Sequence, residues 1–484
     1  MTYFKKNDYD FTLLDIDIDE FSDEYVENYI SENEYDFVLL GSIVTHYKWV
    51  KWFVNMTKSY HPQTNIIVGN SVAGSIPKVF LEHTAGDVVV IGEGEITALA
   101  AVEAIRKNKK LDTVEGIAFK DPDGNFVETS PRKASMIDEI PMISWEFFDV
   151  EKYFDKSATY FPGSKTKRMR SIPVATARGC AFKCTFCHYV FWNDPYRNRS
   201  PQSVIAEIKR NMEKYNADYM QFWDDLSFAS AKQAEKLADE IIESGLKFHW
   251  NASVRVDLFS RSKLSAKRKL EVAEKMRKSG CVAVGFSLES GNKEILKMMN
   301  KEIEPEAFAD TISVFKKARI VTNTSVVFGY PIETRETIQE TFDQCLKARV
   351  YPSIGFLLPL PYTVMYDYAK ANGFITDEDK FLDSITERQD ICVNMTKMSE
   401  TEIMDEIKNG AKQLNELLKL NLTEDTYIKT KRYQNDSGMG LPDTKGKKKK
   451  KFPLDPDNIS RNENDVSFNY SETEFELDAG EIEA

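Results

Sequence analysis

From residue 172 the chain repeats one pattern six times: a short apolar run of strand length, a small or polar turn, and a stretch of helix length. The runs are 172–176, 219–223, 248–252, 282–287, 324–328 and 354–358, with helical periodicity in stretches such as 201–214 and 231–244. Strands joined by helices pair in parallel with right-handed crossovers, so six such units curl into a partial barrel with its chemistry at the carboxyl ends of the strands. A shorter series precedes it, with strand candidates at 9–16, 37–40, 66–68 and 88–91. This predicts a first α/β unit, a Rossmann-like, flavodoxin-type parallel sheet with helices on both faces. Its turns Gly41-Ser42, Gly69-Asn70 and Gly92-Glu93-Gly94-Glu95 follow strand ends, where sheets of this kind hold ligands.

A chain of 484 residues is long enough for two or three domains, and 42% hydrophobic content suffices to pack them. The net charge of -13 supplies no basic field for nucleic acid or anionic lipid, so a small-molecule or protein substrate is expected. No run approaches the length of a membrane span, and the N-terminus has no apolar signal region. The cytoplasm is therefore the expected compartment. Six cysteines, three of them clustered, do not form a secreted disulfide framework; Cys281, Cys345 and Cys392 read as core residues.

The clustered cysteines follow the first strand of the longer series, in Arg178-Gly-Cys-Ala-Phe-Lys-Cys-Thr-Phe-Cys-His188. Cys180, Cys184 and Cys187 offer one inorganic centre three thiolates. Iron–sulfur clusters are normally held by four, so three leave one iron open to a substrate. A zinc site completed by His188 is the alternative, although adjacent residues rarely both reach one tetrahedral metal. Buried, unreactive thiols are the bland reading, which does not account for the clustering.

This C-x3-C-x2-C spacing, with Phe186 just before Cys187, resembles the signature of the radical S-adenosylmethionine (radical SAM) enzymes. The resemblance implies a 4Fe-4S cluster on Cys180, Cys184 and Cys187 that binds SAM and cleaves it to a 5'-deoxyadenosyl radical. Further elements arrive in the family's order. Asp224 and Asp225 after the second strand resemble its SAM-ammonium carboxylates, the alternative being a helix cap. Arg255 in Arg255-Val-Asp257 would meet a SAM or substrate carboxylate, or else pair internally with Asp257. Gly285-Phe-Ser287-Leu-Glu289-Ser-Gly291 brings Ser287 and Glu289 to the SAM site, with Glu289 near the ribose or the ammonium. Gly329 in Phe328-Gly-Tyr-Pro331-Ile-Glu333-Thr334 would flank adenine, and Leu358-Pro-Leu-Pro361-Tyr-Thr363 closes the series.

The front series, ending in Asp87-Val-Val-Val-Ile-Gly-Glu-Gly-Glu95-Ile-Thr97, looks like the cobalamin-binding domain found before many radical SAM barrels. The resemblance assigns Gly41, Ser42, Gly69, Gly92, Glu93, Gly94 and Glu95 to cobalamin. That domain usually opens with one further strand, which the chain would lack, and the D-x-H-x-x-G motif is absent. His46 after the first turn reads as a packing or surface residue.

The expected organisation is a cobalamin-binding-like domain over 1–110, a hairpin and linker over 111–170, and the partial (β/α)6 barrel over 171–365. A small helical cap over 366–433 and a disordered tail over 434–484 complete it. The tail holds six lysines between Lys445 and Lys451, then ten acidic residues after Phe452. The implied function is a cobalamin-dependent radical SAM methyltransferase acting on an unactivated carbon, fed by a flavodoxin- or ferredoxin-type electron donor. An oxidative cyclase or other radical rearrangement enzyme is the alternative. A non-catalytic cluster- or cobalamin-binding protein is the alternative of another class. No catalytic residue is assigned by sequence alone.

Overall fold

The computed structural model describes residues 1–428 except 158, 163, 165, 189–194, 386–390, 425 and 426. The charged tail expected at 434–484 lies outside the described residues. The first sheet contains β1 (Phe37–Gly41), β2 (Asn65–Gly69), β3 (Val88–Val90), β4 (Ile117–Lys120) and β5 (Phe126–Glu128), in that spatial order. The first three pair in parallel, and β4 and β5 extend the sheet antiparallel. The hairpin expected in the linker is thus two strands of the first sheet, because Ile117, Ala118 and Phe119 are buried against β3.

The stretch 9–16 is not a strand. Asp15 instead caps the short helix Ile16–Asp19 through the Ile18 amide. Leu13 and Leu14 are consecutive, so a strand there would bury only one of them.

Next come β6 (Ser171–Val174), the short antiparallel pair β7 (Ala177–Arg178) and β8 (Arg197–Asn198), β9 (Tyr219–Phe222), β10 (His249–Val254), β11 (Cys281–Glu289), β12 (Val321–Phe328) and β13 (Ser353–Phe356). Strands β13-β12-β11-β10-β9-β6 form one parallel sheet, the six expected strands of a partial barrel. The helices between them start where the sequence places a capping hydroxyl: Ser200, Ser230, Ser265 and Thr334 each accept a bond from an amide in the first turn.

Alternate residues divide the barrel sheet into two faces. Val284, Phe286 and Leu288 belong to the main core with the surrounding helices. The opposite face carries small or polar residues in register, Ser253–Gly285–Asn323 in one row and Ser287–Ser325–Ser353 in the next. A Cβ on Gly285 would lie 2.8 Å from Asn323 Oδ1, so this row has no room for anything larger. Lower in the barrel, Met169, Tyr219 and Val282 form a separate apolar cluster with Phe161, whose ring meets His249 edge-on at 5.0 Å. The interior is therefore plugged at the amino ends of the strands and lined with small polar groups toward the carboxyl ends.

The C-terminal helix Glu400–Leu418 begins with a Ser399/Glu402 capping box and buries Ile403, Ile407, Ala411 and Leu414. It lies beside the helix Arg335–Ala348.

Candidate active site

The loop bearing Cys180, Cys184 and Cys187 leaves β7 at the carboxyl end of the barrel, and its anchors come from several later strand ends. Thr185 donates its amide to Met299 O at 2.9 Å and its hydroxyl to Met298 O at 2.9 Å. Asn300 Nδ2 donates to Lys183 O at 2.8 Å. The Phe182 ring lies under the Arg255 guanidinium, 3.6 Å from its centroid. Phe186 meets Tyr330 edge-on at 6.3 Å, and the Tyr330 and Thr185 hydroxyls are 3.2 Å apart. From the last strand, His188 Nδ1 bonds Pro361 O at 2.7 Å and the Met365 amide donates to Thr185 O at 3.1 Å. A short loop with no regular structure of its own is thus fixed by β10, β11, β12 and β13 together.

Burial pushes the Cys180 and Cys184 thiols up, and Cys187 is exposed. Lys301 and Arg255 act in the opposite direction on Cys180 and Cys184. Metal ligation requires thiolates, so assembly on this loop must release protons. Three coupled thiols beside two buried cations suit a cluster whose ligated form is anionic. Among the described residues no three His, Cys, Asp or Glu side chains converge as a single metal ion would need.

The carboxylates expected at SAM separate into distinct roles. Asp224 accepts the Thr176 and Ala177 amides at 2.7 and 2.9 Å and the Thr176 hydroxyl at 2.6 Å, so it fixes the approach to the cysteine loop. Asp225 stands beside it with its side chain open to solvent in this structure. Arg255 makes a bidentate pair with Asp257 at 2.9 and 3.0 Å and donates to Lys301 O at 2.6 Å. The internal pairing is therefore the one observed, and through Phe182 it still serves the cysteine loop.

Ser287 lies on the inner face of β11. Glu289, at a register shift between β11 and β12, has a left-handed φ of 64° and accepts from Lys301 Nζ at 3.2 Å, both side chains being buried. Gly329 has φ +100° and donates its amide to Glu333 at 3.2 Å. Burial pushes the Glu333 carboxyl up to about 7, against the bonds from Thr337 and Gly329.

On the first sheet, Gly41 and Gly69 are register partners at adjacent strand ends. Ser42 Oγ lies 2.9 Å from His46 Nδ1, and burial lowers the His46 pKa. Gly92 has φ +82°, and a Cβ there would meet nothing within 4 Å. These turns present bare backbone at the carboxyl edge, a surface that suits a flat macrocycle. Glu93 and Glu95 instead turn to the barrel: Arg197 bonds Glu93 at 2.5 Å, and Arg178 reaches Glu93 at 3.1 Å and Glu95 at 2.6 Å. Gly94 begins the helix Gly94–Arg106.

Residues 1–102 match the B12 binding domain and residues 174–345 match the radical SAM superfamily. The chain joins a B12-binding domain to a radical SAM domain. It is 28% identical over 324 residues to an uncharacterized methyltransferase of Pyrococcus horikoshii, covering 66% of this chain and 66% of that protein. It is 28% identical over 350 residues to the anaerobic magnesium-protoporphyrin IX monomethyl ester cyclase of Rubrivivax gelatinosus, covering 70% of this chain and 59% of that protein. The chain thus spans about two thirds or less of these relatives. The solved structure of the cobalamin-dependent S-adenosylmethionine radical enzyme OxsB with aqua-cobalamin and S-adenosylmethionine bound shares the fold, with a TM-score of 0.61 and 17% identity. That likeness covers 79% of this chain and 52% of OxsB.

Radical SAM domains use a 4Fe-4S cluster with SAM, and B12-binding domains use cobalamin. The cysteine loop and the bare glycine edge fit these groups. Two clefts lie beside the first sheet and reach the segment that follows β13. One, of about 590 Å3, runs from Ser75–Val79 past Phe126 to Tyr362, Tyr366 and Lys370. The other, of about 250 Å3, opens beside Gly92, Glu93, Glu95 and Ile96 and also reaches Tyr362. Gly41, Ser42 and Gly69 line neither cleft.

Sequence reasoning missed Phe182, Tyr330, Arg178 and Arg197 as parts of the site. Tyr330 lies inside the Gly-Tyr-Pro turn already singled out, but its contact with Phe186 depends on how two loops from distant strands meet. Among the described residues no helix is long and apolar enough to cross a membrane.

Proposed function

We propose that this chain is a cobalamin-dependent radical SAM methyltransferase that modifies an unactivated carbon of a small molecule. The observation that carries the reading is the junction of the two domains. The β7–β8 pair, from which the cysteine loop leaves, is ion-paired through Arg178 and Arg197 to the Gly92–Glu95 turn of the B12-binding domain. When bound, the cluster supplies the electron that cleaves SAM, and cobalamin carries the methyl group. Cys180, Cys184 and Cys187 would hold the cluster. Asp225, Ser287, Glu289 and Gly329 would be the candidates for binding SAM. Gly41, Ser42, Gly69 and Gly92 would seat the corrin on bare backbone. The protein's own part is to orient these groups and to keep water from the reacting carbon, which the apolar plug and tight inner rows of the barrel support. An external one-electron donor of the flavodoxin or ferredoxin type and a reducing, cytoplasmic setting belong to the same reading.

Ring closure or another radical oxidation is a second reading, favoured by the overlap with the anaerobic cyclase over 350 residues. Anaerobic reconstitution with iron, sulfide and hydroxocobalamin tests the cofactor set. Both a cluster absorption and retained corrin bands are expected after desalting, and loss of the corrin would overturn the methyltransferase reading. SAM labelled in its methyl group then separates the two reactions. Label in the product supports methyl transfer, and an unlabelled oxidised product supports the cyclase reading.

A further inference from the structure

Alternation along β9 puts one large side chain where the rest of the upper barrel has small ones. Met220 and Phe222 belong to the main core, Phe222 stacking on Trp250 at 4.8 Å, whereas Tyr219 joins the apolar plug of the interior. Successive residues of a strand point to opposite faces, so Gln221 and Trp223 follow Tyr219 on the inner one. The Trp223 amide donates to Val174 O at 3.1 Å, which carries the pairing with β6 one residue past the end of β9. Gln221 is the register partner of Asn251, and Trp223 and Ser253 each lie two residues further on. The indole thus stands beside the row Ser253–Gly285–Asn323, toward the carboxyl end of the barrel.

Trp223 is 73% exposed. Tryptophan has one of the largest apolar surfaces of any side chain, and leaving it open forfeits the stabilisation that burial would give. Packing does not account for its place, because Met169, Tyr219 and Val282 close the plug below without it. The next residue ties it to the cysteine loop: Asp224 holds the Thr176 and Ala177 amides on the approach to Cys180.

The surface beside the indole is small, polar and uncharged. Ser253 is exposed, and Asn323, Ser287 and Ser325 are half-buried. No charged residue occurs in the inner rows Gln221–Asn251–Ala283–Val321, Ser253–Gly285–Asn323 and Ser287–Ser325–Ser353. The buried charges nearer the cysteine loop are paired, Lys301 with Glu289 and Arg255 with Asp257. A charged group brought among these rows would be desolvated without a counter-ion. A neutral planar group would gain the indole face by offset stacking and hydroxyl and amide partners at its edge.

We infer that Trp223 is a substrate-binding wall of the barrel, and that the part of the substrate lying against it is an uncharged planar ring with hydrogen-bonding groups at its edge. The inference rests on the proposed radical SAM function and names the substrate class of that site.

The test uses the full-length protein reconstituted with cluster and hydroxocobalamin, with SAM present and no reductant, so that binding is read without turnover. The probes are indole, cyclohexylmethanol, tryptamine and indole-3-acetate, each titrated by ligand-observed NMR. Indole is expected to bind wild type roughly tenfold more tightly than the non-planar or the charged probes. Trp223→Ala should weaken indole about tenfold and leave cyclohexylmethanol unchanged, while Trp223→Phe stays within about threefold of wild type. The melting temperature of Trp223→Ala should match that of wild type, because the side chain is exposed. Equal indole binding by wild type and Trp223→Ala, or no measurable indole binding by either, overturns the inference. Tighter binding of tryptamine than of indole overturns it in favour of a cationic substrate. Failure of wild type to hold cluster and corrin overturns the functional reading instead, and the substrate assignment with it.

Discussion

The two surfaces that meet at the domain junction are held in opposite ways. On the barrel side, the cysteine loop is fixed by side chains and carbonyls from four different strand ends, including a cation over Phe182 and backbone bonds at Thr185. On the B12-binding side, the turns after β1 and β2 are held mainly by each other, the Val72 amide bonding Ser42 O and the Val44 amide the Ser71 hydroxyl, with the Ser71 amide bonded locally to Asn70. One surface positions a reactive centre through long-range contacts. The other offers exposed backbone whose shape follows from glycine. The contrast teaches that the barrel site is built from contacts converging from several strands, while the front edge is bare backbone linked to the barrel through Arg178 and Arg197.

The sharpest way to break this comparison is within the cysteine loop. Cys184→Ala should reduce cluster iron and sulfide to background after reconstitution while leaving corrin retention intact, measured by metal analysis and visible spectrum. Next comes the buried Lys301–Glu289 pair. Lys301→Met strands Glu289 without its partner and should cost about 3–5 kcal/mol in urea denaturation, much of it recovered in the Glu289→Gln/Lys301→Met double variant.

Glu333 gives a pH signature. Its folded pKa is raised to about 7, so its contribution is full below the ordinary carboxylate range and is lost as pH rises toward and through 7. Glu333→Gln should therefore gain roughly 2 kcal/mol on wild type between pH 5 and pH 8, read from paired denaturation curves.

The domain junction should respond in the opposite sense. Burial tends to raise the Glu93 pKa, but Arg197 and Arg178 outweigh it and hold the carboxyl below its usual range. Its stabilisation is present above that range and drains as pH falls through the lowered value. Arg197→Ala should cost about 1 kcal/mol at neutral pH and shift acid unfolding to higher pH. Smallest of all, Arg335→Ala removes exposed ion pairs to Glu402 and Glu406 and should leave the melting temperature unchanged within error.

Much of the architecture was legible because it is periodic. All six barrel strands fall where apolar runs alternate with helix-length stretches, and the helical stretches 201–214 and 231–244 match the helices Pro201–Tyr215 and Ala231–Ser244. The stretch 9–16 was misleading because apolar content without a partner strand or a clean alternation does not make a strand. The hairpin at β4–β5 was legible as a hairpin but not as an edge of the first sheet, since pairing with β3 is a tertiary choice. In the site, the three cysteines announced themselves by spacing. The pairing of Arg255 with Asp257 was one of two readings their spacing allowed, and burial decided it. That Asp224 serves the Thr176–Ala177 backbone while Asp225 stands exposed could not be read from two identical neighbours. Phe182 and Tyr330 carried no signal of their own, because aromatic residues beside cysteines are as readily core as scaffold.

The anchors of the cysteine loop also have an order in time. Thr185 is separated from Met298 by 113 residues and His188 from Pro361 by 173, so the loop leaves the ribosome long before the groups that hold it. At about 5–20 residues per second, the interval to Pro361 is on the order of ten to thirty seconds. During it the three thiols belong to an unfinished pocket. Metal loading on the growing chain would therefore meet an unformed site, whereas loading after release meets a finished one, and the thiols must survive the delay in reduced form.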